Sequence, residues 1–211
     1  GLFLVSVLKP QGWEEILLKN LHSSSLQVYS KSVETILGSS SPSSHTEMFK
    51  RIEDLTREHI TVLGKALRQK DGDSVVGSII SYLPRVSSRR MMYELVHSLR
   101  VLLDGTDVKI RRRHITRDIE LLLTNWMVSE LEGRYLDAYV WSAERARLQR
   151  GGGRQAVEVL DEAIWREILR AAGWALDTFA LTEKRGKVSW GRRDLDLNDP
   201  SRRMDVIEII E

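Results

Sequence analysis

One spacing pattern limits this chain more than any other. Ile115, Ile119, Leu122, Trp126, Ser129, Gly133, Leu136, Val140 and Ala143 follow each other in alternating steps of four and three. That is a heptad seam, the signature of a helix that meets another along its length. The surrounding pattern predicts one helix from Val108 to about Arg150. At 1.5 Å per residue it would be on the order of 60 Å long. A rod of that length outruns a compact domain of 211 residues or is kinked.

The rest of the chain has the same periodicity. Helices are predicted over Trp13–Leu21, Leu26–Leu37, Thr46–Lys70, Ser74–Leu83, Arg89–Leu103 and Gln155–Thr182, bounded by Pro10-Gln11-Gly12, Gly38, Asp71-Gly72-Asp73, Pro84, Asp104-Gly105 and Gly151-Gly152-Gly153. The fold class is therefore all-α: a multi-helix bundle with one unusually long helix and a short irregular C-terminal tail. We expect a helical bundle domain over 1–183, with the Ser-rich stretch 38–45 as a flexible loop. A tail over 184–211 follows, basic at first and then acidic and apolar. No internal repeat of 20 to 50 residues supports a solenoid.

Composition removes several function classes. There is no cysteine, hence no disulfide frame, no thiolate nucleophile and no Cys-based zinc site. Charge is nearly balanced, 32 basic against 30 acidic residues, so no general affinity for anions follows. No apolar run reaches the roughly 18 residues of a membrane span. The apolar start, Gly1 to Leu8, lacks the flanks of a secretory signal. The expected location is intracellular, cytoplasmic or nuclear. Beginning without Met, the chain is expected to be a fragment or a processed form. The GxxxxGK[ST], GxGxxG, GxSxG and HExxH signatures are all missing. No cofactor and no metal are expected, since Glu94-x-x-His97 is a single pair where a di-iron bundle needs two such pairs and two further Glu.

Two local features carry the functional expectations. Ser129 and Gly133 form a small-residue notch on the seam, although an interior Gly costs about 1 kcal/mol relative to Ala. The notch suits close approach of another helix, within the chain or from a partner, and a Leu at 133 is expected to overpack it. Six tryptophans supply candidate interface anchors. Trp141, beside Tyr139, and Trp190, in the basic Gly-flanked segment, are the preferred ones. The leading expectation is a non-enzymatic helical protein–protein interaction module, a subunit or scaffold of a larger assembly. Ser129, Gly133, Tyr139, Trp141 and Trp190 are its partner-binding residues, with a homo-oligomer as a further option.

The second feature is the segment from Arg85 to Arg117, with nine Lys and Arg against Glu94, Asp104 and Asp107. Arg111, Arg112 and Arg113 would sit at the positive end of a helix starting at Val108, where the macrodipole disfavours them. A phosphate-bearing ligand would answer both facts. Arg85, Arg89, Arg90, Arg111, Arg112, Arg113 and Arg117 are thus candidates for nucleic-acid or phosphate binding, the alternative reading. The bland account is a solvated charged face. Arg90 and His97 also have a spacing that resembles the Arg-to-His motif of HEPN ribonucleases, which are helical bundles. The resemblance covers those two residues and implies, as a distant alternative, metal-independent RNA cleavage by Arg90 and His97.

Overall fold

The computed structural model describes residues 12–39, 41–70, 73–104, 113–151 and 153–182. Every regular element among them is helical: α1 Trp13–Asn20, α2 Leu26–Leu37, α3 Pro42–Ile52, α4 Arg57–Arg68, α5 Asp73–Tyr82, a 3-10 turn at Leu83–Arg85, α6 Arg89–Leu102, α7 Arg117–Arg150 and α8 Arg154–Thr182. The protein is all-α, and its longest helix has 34 residues. The expected tail, 184–211, lies outside the described residues. The chain divides into two compact units, Gly1–Thr116 and Arg117–Glu211, whereas the sequence pattern carries one bundle through to 183. No Gly- or Pro-rich linker advertises the boundary; it falls where helix α7 begins.

In the first unit, α2 packs on α1, α3 and α4, α3 on α5, and α4 on α6. Leu17, Leu21, Tyr29, Ile36, Met48, Phe49, Ile52, Ile60, Leu63, Leu67 and Ile79 are fully buried. The helix starts are ordinary chemistry. Ser25, Ser41 and Ser88 each accept a backbone N–H of the first turn on the side-chain oxygen. Gly12 takes φ 77° ahead of α1, a conformation glycine adopts without steric cost.

Two expectations change here. The stretch 38–45 is not one loop: Pro42 occupies the first turn of α3 behind the Ser41 cap, a favoured place for proline. Ser39 and Ser44 are buried, and the Ser39 hydroxyl donates to Ile36 O at 2.6 Å. The single helix Thr46–Lys70 is instead two, α3 and α4, broken at Glu53–Thr56. The reason is Glu53. Its Oε1 accepts from the backbone N–H groups of Ser87 and Ser88 and, at 3.0 Å, from the Ser87 hydroxyl. Its Oε2 accepts from the Tyr82 hydroxyl at 2.6 Å. Burial works to raise this carboxyl's pKa, but the bonds from Tyr82, Ser88 and Ser87 outweigh it and hold it below the ordinary carboxylate value. One carboxylate thereby joins the end of α3, the end of α5 and the start of α6.

Between α4 and α6, Gly64 leaves room for a side chain. A Cβ there would overlap the Glu94 carboxylate. Glu94 instead lies over the bare glycine and pairs with Arg68 at 3.1 Å, and Arg68 also donates to Ser98 Oγ at 3.4 Å.

The second unit is built on an antiparallel pairing of α7 and α8. Trp126 and Trp174 meet near edge-on, ring centroids 5.6 Å apart and planes at 68°. Further along, Trp141 Nε1 donates to Asp161 Oδ1 at 2.8 Å, and Arg145 pairs with Asp161 Oδ2 at 3.1 Å. Both contacts belong to one antiparallel register.

Candidate interaction surface

Helix α7 is packed on one side and open on the other. Ile119, Leu123 and Met127 are buried, but Leu136, Tyr139 and Val140 are 62%, 68% and 66% exposed. On α8, Val159 is 63% and Leu160 40% exposed, while Ala171, Ala172, Trp174, Ala175 and Leu176 are buried. Ala163 is exposed as well. The packed face of α8 runs through Val157, Asp161, Ile164 and Ile168.

The inward face of α7 is displaced from the heptad seam. After Ile119 it takes in Leu123, Trp126, Met127, Ala138, Trp141 and Leu148, which are buried or half-buried, whereas Ser129, Leu136, Val140 and Ala143 are exposed. A straight α-helix turns every 3.6 residues, so a strict seven-residue repeat drifts by roughly 20° per heptad. Across the three heptads from Ile119 to Val140 the drift is on the order of 60°. The seam begins beside the packed face and finishes in solvent.

The candidate partner-binding residues accordingly separate. Ser129 is exposed and Gly133 half-buried, and nothing lies within 4 Å of where a Gly133 Cβ would stand. Among the described residues, no helix fills the notch. Tyr139 is exposed. Trp141 is half-buried and bonded to Asp161, so it holds α8 to α7 and is not an exposed anchor. Trp190 lies outside the described residues. The residues missed in the sequence are Glu132, Ala146 and Arg150, all exposed on the same side as Leu136 and Tyr139. A period of 3.6 in place of 3.5 would have found them.

The basic segment is less coherent than its composition. Arg111 and Arg112 lie outside the described residues. The long helix starts at Arg117, not Val108, and its first turn carries Asp118 and Glu120. Those acids suit the positive end of α7. Arg85, Arg90 and Arg113 are exposed. Arg89 lies against the Tyr93 ring, 5.6 Å from its centroid, and donates to its hydroxyl at 3.3 Å. Arg117 begins the second unit. Arg90 and His97 both stand on α6, two turns apart at roughly 10 Å of rise, Arg90 exposed and His97 half-buried.

Elsewhere in the first unit, His45 is fully buried. Its Nε2 lies 3.1 Å from Ile36 O and its Nδ1 2.9 Å from Ser78 Oγ. A carbonyl only accepts, so Nε2 carries the proton; the Ser78 hydroxyl beside Nδ1 donates to Ser74 O at 2.8 Å. Burial lowers the pKa of this imidazole, although the backbone partners and Glu14 oppose the shift. Among the described residues, no cluster of three or more His, Asp or Glu could hold a metal ion, and no helix is long and apolar enough to cross a membrane.

No protein family, curated protein or solved structure matches this chain.

Proposed function

We propose that the chain is a non-enzymatic helical interaction module, a subunit or scaffold of a multiprotein assembly, that engages its partner through the outer face of α7. One observation carries this reading. Leu136, Tyr139 and Val140 are each more than three-fifths exposed on adjacent turns of one helix, beside a glycine with empty space where a side chain would stand. Scattered apolar residues on a surface are routine, but a contiguous patch of large ones marks a contact site. A glycine inside a helix also weakens it, and close approach of a partner backbone would offset that cost. An intracellular setting belongs to the same proposal, since a chain without cysteine suits a reducing compartment.

The test compares the native chain with Leu136→Asp and Val140→Asp in affinity purification from the source organism, with and without nuclease. Both substitutions are at exposed positions, so circular dichroism and melting should be unchanged. A stoichiometric protein partner that resists nuclease and is lost with either substitution supports the module. A captured species that vanishes on nuclease treatment and ignores both substitutions would move the function to the basic segment.

A further inference from the structure

Along the outer side of α7, Glu132, Leu136, Tyr139, Ala143, Ala146 and Arg150 are all exposed and recur in steps of four, three, four, three and four. Such steps keep side chains on one face of a helix. The series is a palindrome in spacing, centred level with Trp141. It is also complementary in content. Reversed on itself, it sets Glu132 against Arg150, Leu136 against Ala146, and Tyr139 against Ala143.

We propose that this stripe is a self-association surface on which a second copy of the chain packs its own α7 antiparallel, about a two-fold axis level with Trp141. The inference rests on reading the chain as an interaction module and names its partner. An isologous interface must be complementary to itself under a two-fold rotation, and few helix faces satisfy that in both size and charge. Here each bulky side chain falls opposite an alanine, which lets the helices approach without overpacking. Each end closes with an acid facing a base. Among the described residues neither Glu132 nor Arg150 has an ion-pair partner within its own chain; Arg150 is held only to the carbonyl of Ala146 at 3.0 Å. The contact spans roughly 27 Å of helix. A parallel arrangement would place Glu132 on Glu132 and Arg150 on Arg150, two like-charge contacts.

The absence of cysteine makes the test clean. The doubly substituted full chain, Leu136→Cys with Ala146→Cys, has two thiols about 15 Å apart on one helix, too far for a disulfide within a chain. Mild oxidation should give a covalent dimer. Leu136→Cys alone should not, and a dimer from that variant would indicate parallel pairing and overturn the proposal. By sedimentation equilibrium, Glu132→Arg or Arg150→Glu should weaken the dimer roughly tenfold, because each reversal sets two like-charge contacts. The combined reversal should restore it. Dimerisation indifferent to the single reversals overturns the register. A chain that stays monomeric at its highest soluble concentration, with no cross-link, overturns the second copy as occupant. If Leu136→Asp still abolishes capture of a different protein in that case, the module reading survives; if capture is unaffected, both fall.

Discussion

Trp141 and Arg145, one turn apart on α7, take the two carboxylate oxygens of Asp161 on α8, at 2.8 Å and 3.1 Å. The bond from the indole gives Trp141 an internal partner at a level where Tyr139 and Val140, its near neighbours in sequence, face solvent. Asp161→Ala should cost about 1 kcal/mol, since the carboxylate is partly exposed and solvent screens the ion pair. Asp161→Asn keeps an acceptor for the indole and should lose less. Urea melts of both, together with Trp141→Phe in a double-mutant cycle, check the assignment. Additive effects would show that the two side chains are not coupled.

Gly133 offers a prediction of opposite sign. With empty space around its Cβ position, Gly133→Ala should stabilise α7 by about 0.5–1 kcal/mol through helix propensity and reduced freedom of the unfolded chain. Gly133→Leu should leave melting of the monomer intact rather than overpack it. A loss of stability with alanine, seen by thermal denaturation, would mean that another surface already occupies the notch.

Glu53 predicts acid behaviour. Its folded-state pKa is depressed, so its contribution is complete above the unfolded value and declines as pH falls through the folded one. The native chain should lose stability steeply below roughly pH 4, and Glu53→Gln should flatten that part of the profile. At neutral pH the substitution should cost roughly 2–3 kcal/mol, because buried amides and a hydroxyl lose a charged acceptor. Denaturant titrations across acid pH test both statements.

His45 acts in a higher window. Its folded pKa lies below the unfolded value, so between the two the unfolded chain binds the extra proton. Stability should fall as pH drops below about 6.5. Replacement by Gln, which retains a donor and an acceptor, should abolish the slope in that range while leaving the Glu53-dependent loss at lower pH. A profile unchanged by His45→Gln would show that the imidazole ionises alike in both states.

Helix placement was readable because caps and breakers act locally. Trp13, Leu26, Arg89 and the Arg154–Thr182 segment all fall within a residue or so of their expected bounds. Local rules failed where a distant group decides the outcome. Nothing near Glu53 announces that its carboxylate turns away to bind Ser87 and Ser88, ending α3 there. The seam failed for a geometric reason: alternating steps of four and three describe a supercoiled helix, and α7 packs on α8 with its own 3.6-residue turn. Leu123 and Met127 therefore join Ile119 and Trp126 on the packed side, while Ser129 is exposed. The candidate surface was half legible, in Leu136, Tyr139 and Val140. Its charged ends were hidden, because Glu132 and Arg150 gain meaning only once the outer side is known.

The bare Cα of Gly64 beneath the Glu94 carboxylate implies a constraint on how this protein can diverge. A Cβ at 64 obliges the Glu94 carboxylate to shift, and with it the ion pair of the half-buried Arg68. Substitutions at 64, 68 and 94 should therefore be energetically coupled. Homologues that carry alanine or serine at the first should have rewritten the other two.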